Sequence, residues 1–298
     1  MNVLKLNTQQ LNKMESFYRD DLKINDNEYV LFAVKSASIT AYHSGKVVFQ
    51  GKNALKEYDM WIKMFDMEDE LASKEALFFS PSIGSDEVGT GDFFGPITVC
   101  AAFLQKEQIE FVKSLGINDS KKIADEKILI IGEQLVDRIP YSLLTLHNEK
   151  YNDLVERGFN MNKIKAYLHN KAILNLLSKI NGTPEVIMDQ FAEEKLYFRY
   201  LADESKVYRN ITFTTKAESK YASVAIGSII ARYAFLKHFE LLSKEAKYHL
   251  LKGANNEVDK VAARMIKDKG IAYLRAYAKM NFKNLEKAKV ICDEMLKR

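Results

Sequence analysis

Residues 83–96 read IGSDEVGTGDFFGP and join two apolar runs, with the adjacent carboxylates Asp86 and Glu87 at the end of the first run. Neighbouring side chains on a strand point to opposite faces, so both carboxylates reach one site only if the strand ends, twists or bulges there. Gly89 and Gly91 permit such a distortion. Because uncompensated carboxylates are costly at a strand end, this pair predicts a site for a hard divalent cation.

Two further carboxylates stand at comparable places in the chain. Asp189 ends the short apolar run VIM, and Glu218 follows TTKA at the start of a predicted long helix. Each also has an ordinary interpretation, since Asp is common where loops begin and a carboxylate in a first helical turn is stabilised by the helix dipole. Small residues between Ala222 and Ala231 would let that helix pack closely on a sheet and hold Glu218 near the strand ends.

From residue 77 onward, strand-like apolar runs alternate with amphipathic stretches. This alternation predicts an α/β domain with a mixed or parallel sheet flanked by helices, in which ligands bind near the carboxyl ends of strands. The predicted strands cover residues 77–86, 97–104, 141–147, 186–189 and 211–214, and the predicted helices cover residues 106–115, 123–138, 161–180, 217–242, 257–268 and 271–279.

Residues 1–66 predict a small α/β domain in the order strand, helix, three strands, helix. Ser44-Gly45, between two strand-like runs, is typical of a tight hairpin turn. Such a sheet carries helices on one face, and its open face either binds a ligand or packs against the rest of the protein. Residues 67–76 are highly charged with little apolar spacing, and we interpret them as a linker to the larger domain, residues 77–298.

Charge is unevenly distributed, although the net charge is only +4. Residues 67–240 carry 21 basic and 25 acidic side chains, a net charge of −4, whereas residues 241–298 carry 14 and 7, a net charge of +7. An acidic centre beside a basic flank suits a polyanionic substrate, although solvated lysine-rich helices give the same pattern. The sequence shows no long apolar run and no signal-peptide pattern, and it has only two cysteines. These features predict a reduced, cytoplasmic protein.

The glycines of residues 89–91 do not form a nucleotide-binding fingerprint. They lack the Gly-Lys-Ser/Thr ending of a P-loop, and Gly95 comes four residues after Gly91 instead of three. We expect these glycines to bring backbone amides close to a phosphate or sugar. Residues 118–122 either bind a phosphate or cap a helix. Three histidines without zinc-like or triad-like companions are interpreted as structural or surface residues, namely His147, His169 and His238.

At this point the motifs resemble those of bacterial ribonuclease HIII, a branch of the type 2 ribonucleases H. The resemblance covers residues 77–298. It is specific, since several separate motifs recur in the same order. Residues 1–66 resemble the family's N-terminal TATA-binding-protein-like, substrate-binding domain in their order of elements. Besides residues 86–96, the matching motifs are Asn118-Asp119-Ser120-Lys121, Asn148-Glu149-Lys150-Tyr151-Asn152, Leu168-His169-Asn170, Met188-Asp189-Gln190-Phe191-Ala192, Thr215-Lys216-Ala217-Glu218 and Ser228-Ile229-Ile230-Ala231-Arg232-Tyr233.

The resemblance implies a ribonuclease H-like fold and an endonuclease that cuts the RNA strand of RNA–DNA hybrids. The family's four acidic positions fall on Asp86, Glu87, Asp189 and Glu218. Four carboxylates balance the charge of two divalent ions, Mg²⁺ or Mn²⁺, which stabilise both ends of an in-line phosphodiester hydrolysis. The expected substrate-binding residues are Gly89, Thr90, Gly91, Ser120 and Lys121.

Two details favour the HIII branch over the HII branch. Residue 218 is glutamate where HII enzymes usually have aspartate, and the loop reads Gly-Thr-Gly where they have Gly-Arg-Gly. An HII-like enzyme acting at single ribonucleotides in DNA and a non-catalytic hybrid-binding protein are the alternatives. The expected partner is the hybrid, with no membrane and no obligate protein partner.

Overall fold

A computed structural model of the chain describes residues 2–117 and 123–297. The chain divides into two compact units, residues 1–75 and 76–298. Within the described residues, no helix is long and apolar enough to cross a bilayer. The first unit contains β1 (Asn2–Lys5), α1 (Thr8–Phe17), β2 (Leu22–Lys23), β3 (Val30–Val34), β4 (Ile39–Tyr42), β5 (Lys46–Phe49) and α2 (Ala54–Met64).

The first unit is an antiparallel sheet with strand order β1-β5-β4-β3-β2. Helices α1 and α2 bury Met14 and Trp61 in one core with Leu4 and Phe49 of the sheet. The hairpin predicted at Ser44-Gly45 is confirmed: it joins β4 to β5, as antiparallel neighbours require. The short strand β2 was not predicted, because two residues are too few to show a period.

Helix α3 (Glu68–Phe78) crosses the division between the units and contains most of the segment predicted as a linker. The sequence also predicts a strand from Leu77 to Asp86, and its first part is wrong, since Leu77 and Phe78 end α3. A short apolar run does not distinguish helix from strand. Pro81 separates the two elements, because a residue without an N–H group fits immediately before a strand.

The second unit is a mixed α/β domain. Its strands are β6 (Ser82–Val88), β7 (Ile97–Leu104), β8 (Tyr141–Leu146), β9 (Val186–Asp189) and β10 (Ile211–Thr214). Its helices are α4 (Ile109–Ser114), α5 (Asp125–Arg138), α6 (Asn148–Glu156), α7 (Met161–Leu177), α8 (Glu194–Tyr200), α9 (Ala222–Ala246), α10 (Asn256–Lys269), α11 (Ile271–Leu274) and α12 (Lys283–Lys297).

The sheet of this unit has the order β10-β9-β6-β7-β8. Strand β6 runs antiparallel to β7 and parallel to β9, and β9 runs parallel to β10. This topology confirms the predicted mixed sheet and brings the carboxyl ends of β6 and β9 to the same edge. The strands predicted at 97–104, 186–189 and 211–214 are confirmed over their full lengths.

Helices cover both faces of this sheet. Helix α7 packs Ile164 and Ile173 against one face, and α9 packs Ile226 and Ile229 against the other. The small-residue surface of α9 makes that contact very close. A Cβ atom on Gly84 of β6 would lie only 2.1 Å from the backbone nitrogen of Val224. The close packing predicted for α9 is therefore confirmed.

Several helix predictions need correction. The helix predicted to begin at residue 217 begins at Ala222, because Lys216 has a left-handed backbone (φ 55°) and Tyr221 is extended. A separate 3₁₀ turn, Ala217–Ser219, carries Glu218. Helices α6, α8 and α12 were not predicted. Helices α6 and α8 have only nine and seven residues, and short helices depend on packing against the rest of the unit.

Candidate active site

A cavity of about 420 Å³ opens at the edge where β6 and β9 end. Asp86, Glu87 and Asp189 all line it. The turn of residues 89–91, which we call the glycine loop, forms another part of its wall, with Ser228 and Arg232 of α9. Three of the four predicted carboxylates and the predicted glycine loop are therefore brought together at the edge that the topology indicated.

Asp86 and Glu87 lie on opposite faces of a regular strand. The register with β7 runs without interruption through both residues, so the strand does not bulge there. Of the three predicted alternatives, the end of the strand is the one observed, since β6 ends at Val88. Asp86 faces α9, and Glu87 faces α7, as the alternation of a strand requires. They share the cavity because they lie close to the last residue of β6, where the mouth of the cavity reaches around both sides of the strand.

Asp86 is surrounded by other acidic groups. Its carboxyl accepts hydrogen bonds from the Ser228 hydroxyl and from the Glu87 backbone N–H, the latter at 2.8 Å. Burial raises the pKa of Asp86 far above its ordinary value, and repulsion from Glu87 and Glu218 raises it further, against these two hydrogen bonds. A buried carboxyl in this state is stabilised either by a proton or by a cation.

Glu87 has the opposite environment. The Lys165 ammonium forms an ion pair with one of its oxygens, and Nε2 of His169 donates to the other at 2.9 Å. Burial acts to raise the pKa of Glu87, but His169 and Lys165 outweigh it and hold that pKa well below its ordinary range. The ring of Phe191 stacks on His169 and lies 4.1 Å from the Lys165 ammonium.

Sequence reasoning did not predict the contacts of Lys165 and His169 with Glu87. His169 is fully buried, which agrees with its interpretation as a structural residue, and it joins Glu87 to Ser85 through its two ring nitrogens. A usable signal was present. Two basic side chains one turn apart on a helix that packs in a core require an acidic partner there.

Asp189 and Glu218 are linked through the backbone. The N–H of Ala217 donates to Asp189 Oδ1 at 2.9 Å, so the end of β9 holds the 3₁₀ turn that carries Glu218. Glu218 is buried, with an exposed fraction of 5%, and its charge acts on Asp86. It does not line the cavity itself.

The four carboxylates do not form a closed ligand shell. In residues 2–117 and 123–297, no group of three or more His, Cys, Asp and Glu side chains is spaced to hold a metal ion. Glu87 is bound to Lys165 and His169, and Asp189 accepts from a backbone amide. Carboxylate oxygens are nevertheless the ligands that Mg²⁺ and Mn²⁺ prefer, and the repulsion at Asp86 is what a cation relieves.

Arg232 is a basic residue of the cavity wall that was not predicted individually. Its guanidinium donates to Asp125 Oδ1 at 2.6 Å and to the carbonyl of Ile123 at 2.9 Å. These contacts fix a positive charge opposite the carboxylates. The predicted phosphate contacts Ser120 and Lys121 lie outside the described residues.

Comparisons with known proteins show the family of this chain. The family model described as "Ribonuclease HII" matches residues 83–285, and that described as "Domain of unknown function (DUF3378)" matches residues 1–70. Ribonuclease HIII of Bacillus licheniformis is 44% identical, with 98% of this chain and 99% of the relative aligned. Ribonuclease HIII of Bacillus velezensis is also 44% identical, with 98% of each chain aligned.

Two solved structures are also similar to this chain over nearly its whole length. The crystal structure of Bst-RNase HIII in complex with Mn²⁺ superposes with a TM-score of 0.74 at 38% identity and covers 98% of this chain and 99% of its own. That of Aquifex aeolicus RNase H3, 23% identical with a TM-score of 0.57 over 95% of this chain and all of its own, shows the shared fold. The chain belongs to the type 2 ribonuclease H family as a ribonuclease HIII, an endonuclease that cleaves the RNA strand of RNA–DNA hybrids.

Proposed function

We propose that Asp86, Glu87, Asp189 and Glu218 form the divalent-metal centre at which this chain hydrolyses RNA. The observation that carries this proposal is the buried carboxyl of Asp86. Its burial and its two acidic neighbours, Glu87 and Glu218, raise its pKa. A cation beside Asp86 removes that repulsion. A relative of 38% identity was crystallised with Mn²⁺, which supports the same chemistry.

Each carboxylate has a distinct place in this centre. Asp86, between Glu87 and Glu218, would be shared by two ions. Glu87 and Asp189 would each hold one side, and Glu218 would complete the second site. The ions, Mg²⁺ or Mn²⁺, supply stabilisation of the negative charge that develops on the attacking, phosphoryl and leaving oxygens.

The side chains around the centre orient its ligands. His169 and Lys165 fix both oxygens of Glu87, which limits its rotamers and keeps it ionised. Ser228 orients Asp86 from the other face of β6. Arg232, held by Asp125, presents a positive charge to a phosphate entering the cavity.

The glycine loop is placed to recognise RNA. Gly91 is exposed, and the space where its Cβ would stand is open. A strand of nucleic acid can therefore approach the loop backbone closely. The 2′-hydroxyl is the group that distinguishes RNA from DNA at each residue, and backbone N–H and C=O groups can bind it.

The first unit is suited to grip the hybrid. The face of its sheet opposite α1 and α2 has a shallow cavity of about 230 Å³, lined by Lys23, Lys35, Thr40 and Gln50 among others. Lysines at such a face bind phosphates without reading sequence. We propose that this face holds the hybrid, so that residues 1–66 add affinity and the second unit supplies the chemistry.

A duplex panel tests the proposed activity. Labelled RNA–DNA, DNA–DNA and RNA–RNA duplexes, and DNA with one ribonucleotide, are incubated with Mg²⁺, Mn²⁺ or EDTA. We expect cleavage of the RNA strand of the hybrid only, and only with a divalent ion. Cleavage of DNA–DNA, or equal cleavage in EDTA, would overturn the proposal. Preferred cleavage at the single ribonucleotide would favour the HII-like alternative.

A pair of double variants tests the role of the first unit. Lys23→Ala with Lys35→Ala should raise the Kd for a hybrid about tenfold at low salt, because it removes two phosphate contacts, and should leave kcat unchanged. Lys56→Ala with Lys63→Ala is the matched control, since these exposed lysines lie on α2. Equal effects of the two pairs would contradict binding through the sheet face.

A further inference from the structure

Lys279 is a fully buried lysine that the proposed chemistry does not use. Its exposed fraction is 0%, and it lies between α11 and α12 in the basic C-terminal part of the chain. A lysine is almost never fully buried unless its ammonium has strong partners. The partners of Lys279 are backbone carbonyls, and both belong to the segment that follows the glycine loop.

The contacts of Lys279 hold this segment at several points. Its ammonium donates to the carbonyl of Asp92 at 2.7 Å and to that of Gly95 at 2.6 Å. Its backbone N–H donates to the carbonyl of Phe93 at 2.9 Å. Gly95 N–H donates in turn to the carbonyl of Tyr277 at 3.0 Å, which completes an antiparallel bridge. One residue thus fastens residues 92–95 through both its side chain and its backbone.

Other contacts close the remaining side of the same segment. Asp92 Oδ1 accepts from the N–H of Gly253 at 2.6 Å, and the carbonyl of Gly95 accepts a second hydrogen bond from Asn148. The glycine loop, in which Gly89 is buried and Gly91 is exposed, therefore lies between two fixed ends. Strand β6 holds its first end, and the Lys279 contacts hold its second.

We propose that Lys279 is a positioning residue that keeps the glycine loop in the shape needed to receive the RNA strand. This inference rests on the proposed role of the loop in binding RNA. A loop that is already ordered loses little conformational entropy when substrate binds. Without the Lys279 contacts, the glycine loop becomes ordered only when the substrate binds. The conformational entropy lost at that step should raise KM and leave kcat nearly unchanged.

The hydrogen bonds do not require the positive charge. Burial lowers the pKa of Lys279 to about 7, although the Asp92 carboxylate opposes that shift. A neutral amine keeps two N–H donors, which is the number that the two carbonyls accept. The rings of Tyr151 and Phe282, at 5.8 and 6.0 Å, face the nitrogen from the other elements around it. The clamp is therefore present in both protonation states.

The test uses the full chain with three variants. Lys279→Met keeps an unbranched side chain, one atom shorter than lysine, and removes its donors. Lys279→Gln keeps two N–H donors on a side chain one atom shorter and should restore part of the effect. Met265→Ala is the control, because it opens a cavity in the same core, to which Phe93 and Phe94 also belong, and leaves all the hydrogen bonds of Lys279 in place.

Two measurements are made on each protein. Amide hydrogen exchange of residues 89–95 in EDTA should become about tenfold faster in Lys279→Met, with residues 97–104 unchanged. KM for the hybrid should rise about tenfold, with kcat changing by less than about threefold. Met265→Ala should show neither effect.

Two results would overturn the inference. In the first, exchange over residues 89–95 is the same in Lys279→Met as in the wild type or in Met265→Ala. In the second, exchange increases but KM does not change. If the wild-type chain fails to cleave the hybrid, the proposed function fails, while the exchange measurement still decides whether Lys279 holds the loop.

Discussion

On one face of β6, Asp86 lies among carboxylates, and burial raises its pKa. On the other face, Glu87 lies between Lys165 and His169, which hold its pKa low. The two residues are adjacent in sequence and line the same cavity. The comparison teaches that this chain supplies its own cation to Glu87, whereas Asp86 is repelled by its acidic neighbours, a repulsion that the proposed divalent ion would relieve.

The largest expected effect is on catalysis. Asp86→Asn should lower the single-turnover rate of hybrid cleavage by about 1,000-fold or more, because it removes the charge shared by the metal centre. Asp203→Asn, at an exposed carboxylate of the same unit, is the control and should be active. A rate for Asp86→Asn within tenfold of the wild type would show that the centre lies elsewhere.

A substitution on the Glu87 face of β6 should change the free energy of unfolding strongly. Lys165→Met should lower the free energy of unfolding by about 3 kcal/mol in EDTA, because it leaves a buried carboxylate without its ion pair. Lys171→Met, at an exposed position of the same helix, is the matched control for denaturant unfolding. Equal stability of the two variants would mean that the Lys165 ion pair contributes nothing.

A substitution on the Asp86 face of β6 should change the free energy of unfolding in the opposite direction. In EDTA at pH 7, Asp86→Asn should raise the free energy of unfolding by about 1–2 kcal/mol, because it removes a desolvated and repelled carboxyl. The amide can also donate to the neighbouring carboxylates. Denaturant unfolding measures this difference, and a destabilised Asp86→Asn chain would contradict the account of this face.

The two faces also predict opposite pH dependences. The folded pKa of Asp86 is raised, so the folded state binds more protons above pH 3.8 and wild-type stability falls as pH rises from there. The folded pKa of Glu87 is lowered, so its contribution is lost as pH falls below 4.5. Unfolding curves from pH 3 to 8 in EDTA should lose the first slope in Asp86→Asn and should have a weaker second slope in Lys165→Met, in which His169 still binds Glu87. Unchanged slopes in both variants would contradict the assigned shifts.

Much of the fold could be predicted because local patterns coincide with buried elements. Strands β7, β9 and β10 are short apolar runs between polar boundaries, and they were predicted to the residue. The apolar residues Leu77 to Phe79 were misread, because a run of this length fits the end of a helix equally well. Helix α12 was not predicted, although its buried residues Leu285, Ala288 and Cys292 have the spacing of an amphipathic helix.

The site was predicted where it depends on strand ends. Asp86 and Asp189 end neighbouring strands, so topology alone brings them together. The contacts of Glu87 with Lys165 and His169 depend on how α7 packs on β6, which no local spacing determines. The opposite orientation of Asp86 and Glu87 could be predicted from strand alternation, but the sequence did not decide which of a strand end, a twist or a bulge brings them to one site.

The central claim is that a divalent ion balances the charge on the Asp86 face. The direct measurement is the shift in Tm on adding Mn²⁺ to the EDTA-treated wild-type chain and to Asp86→Asn. Binding to the folded state at 100 times the Kd stabilises by about 2.7 kcal/mol. The account predicts a clear rise in Tm for the wild type and little or none for Asp86→Asn. Equal rises in the two proteins would contradict it.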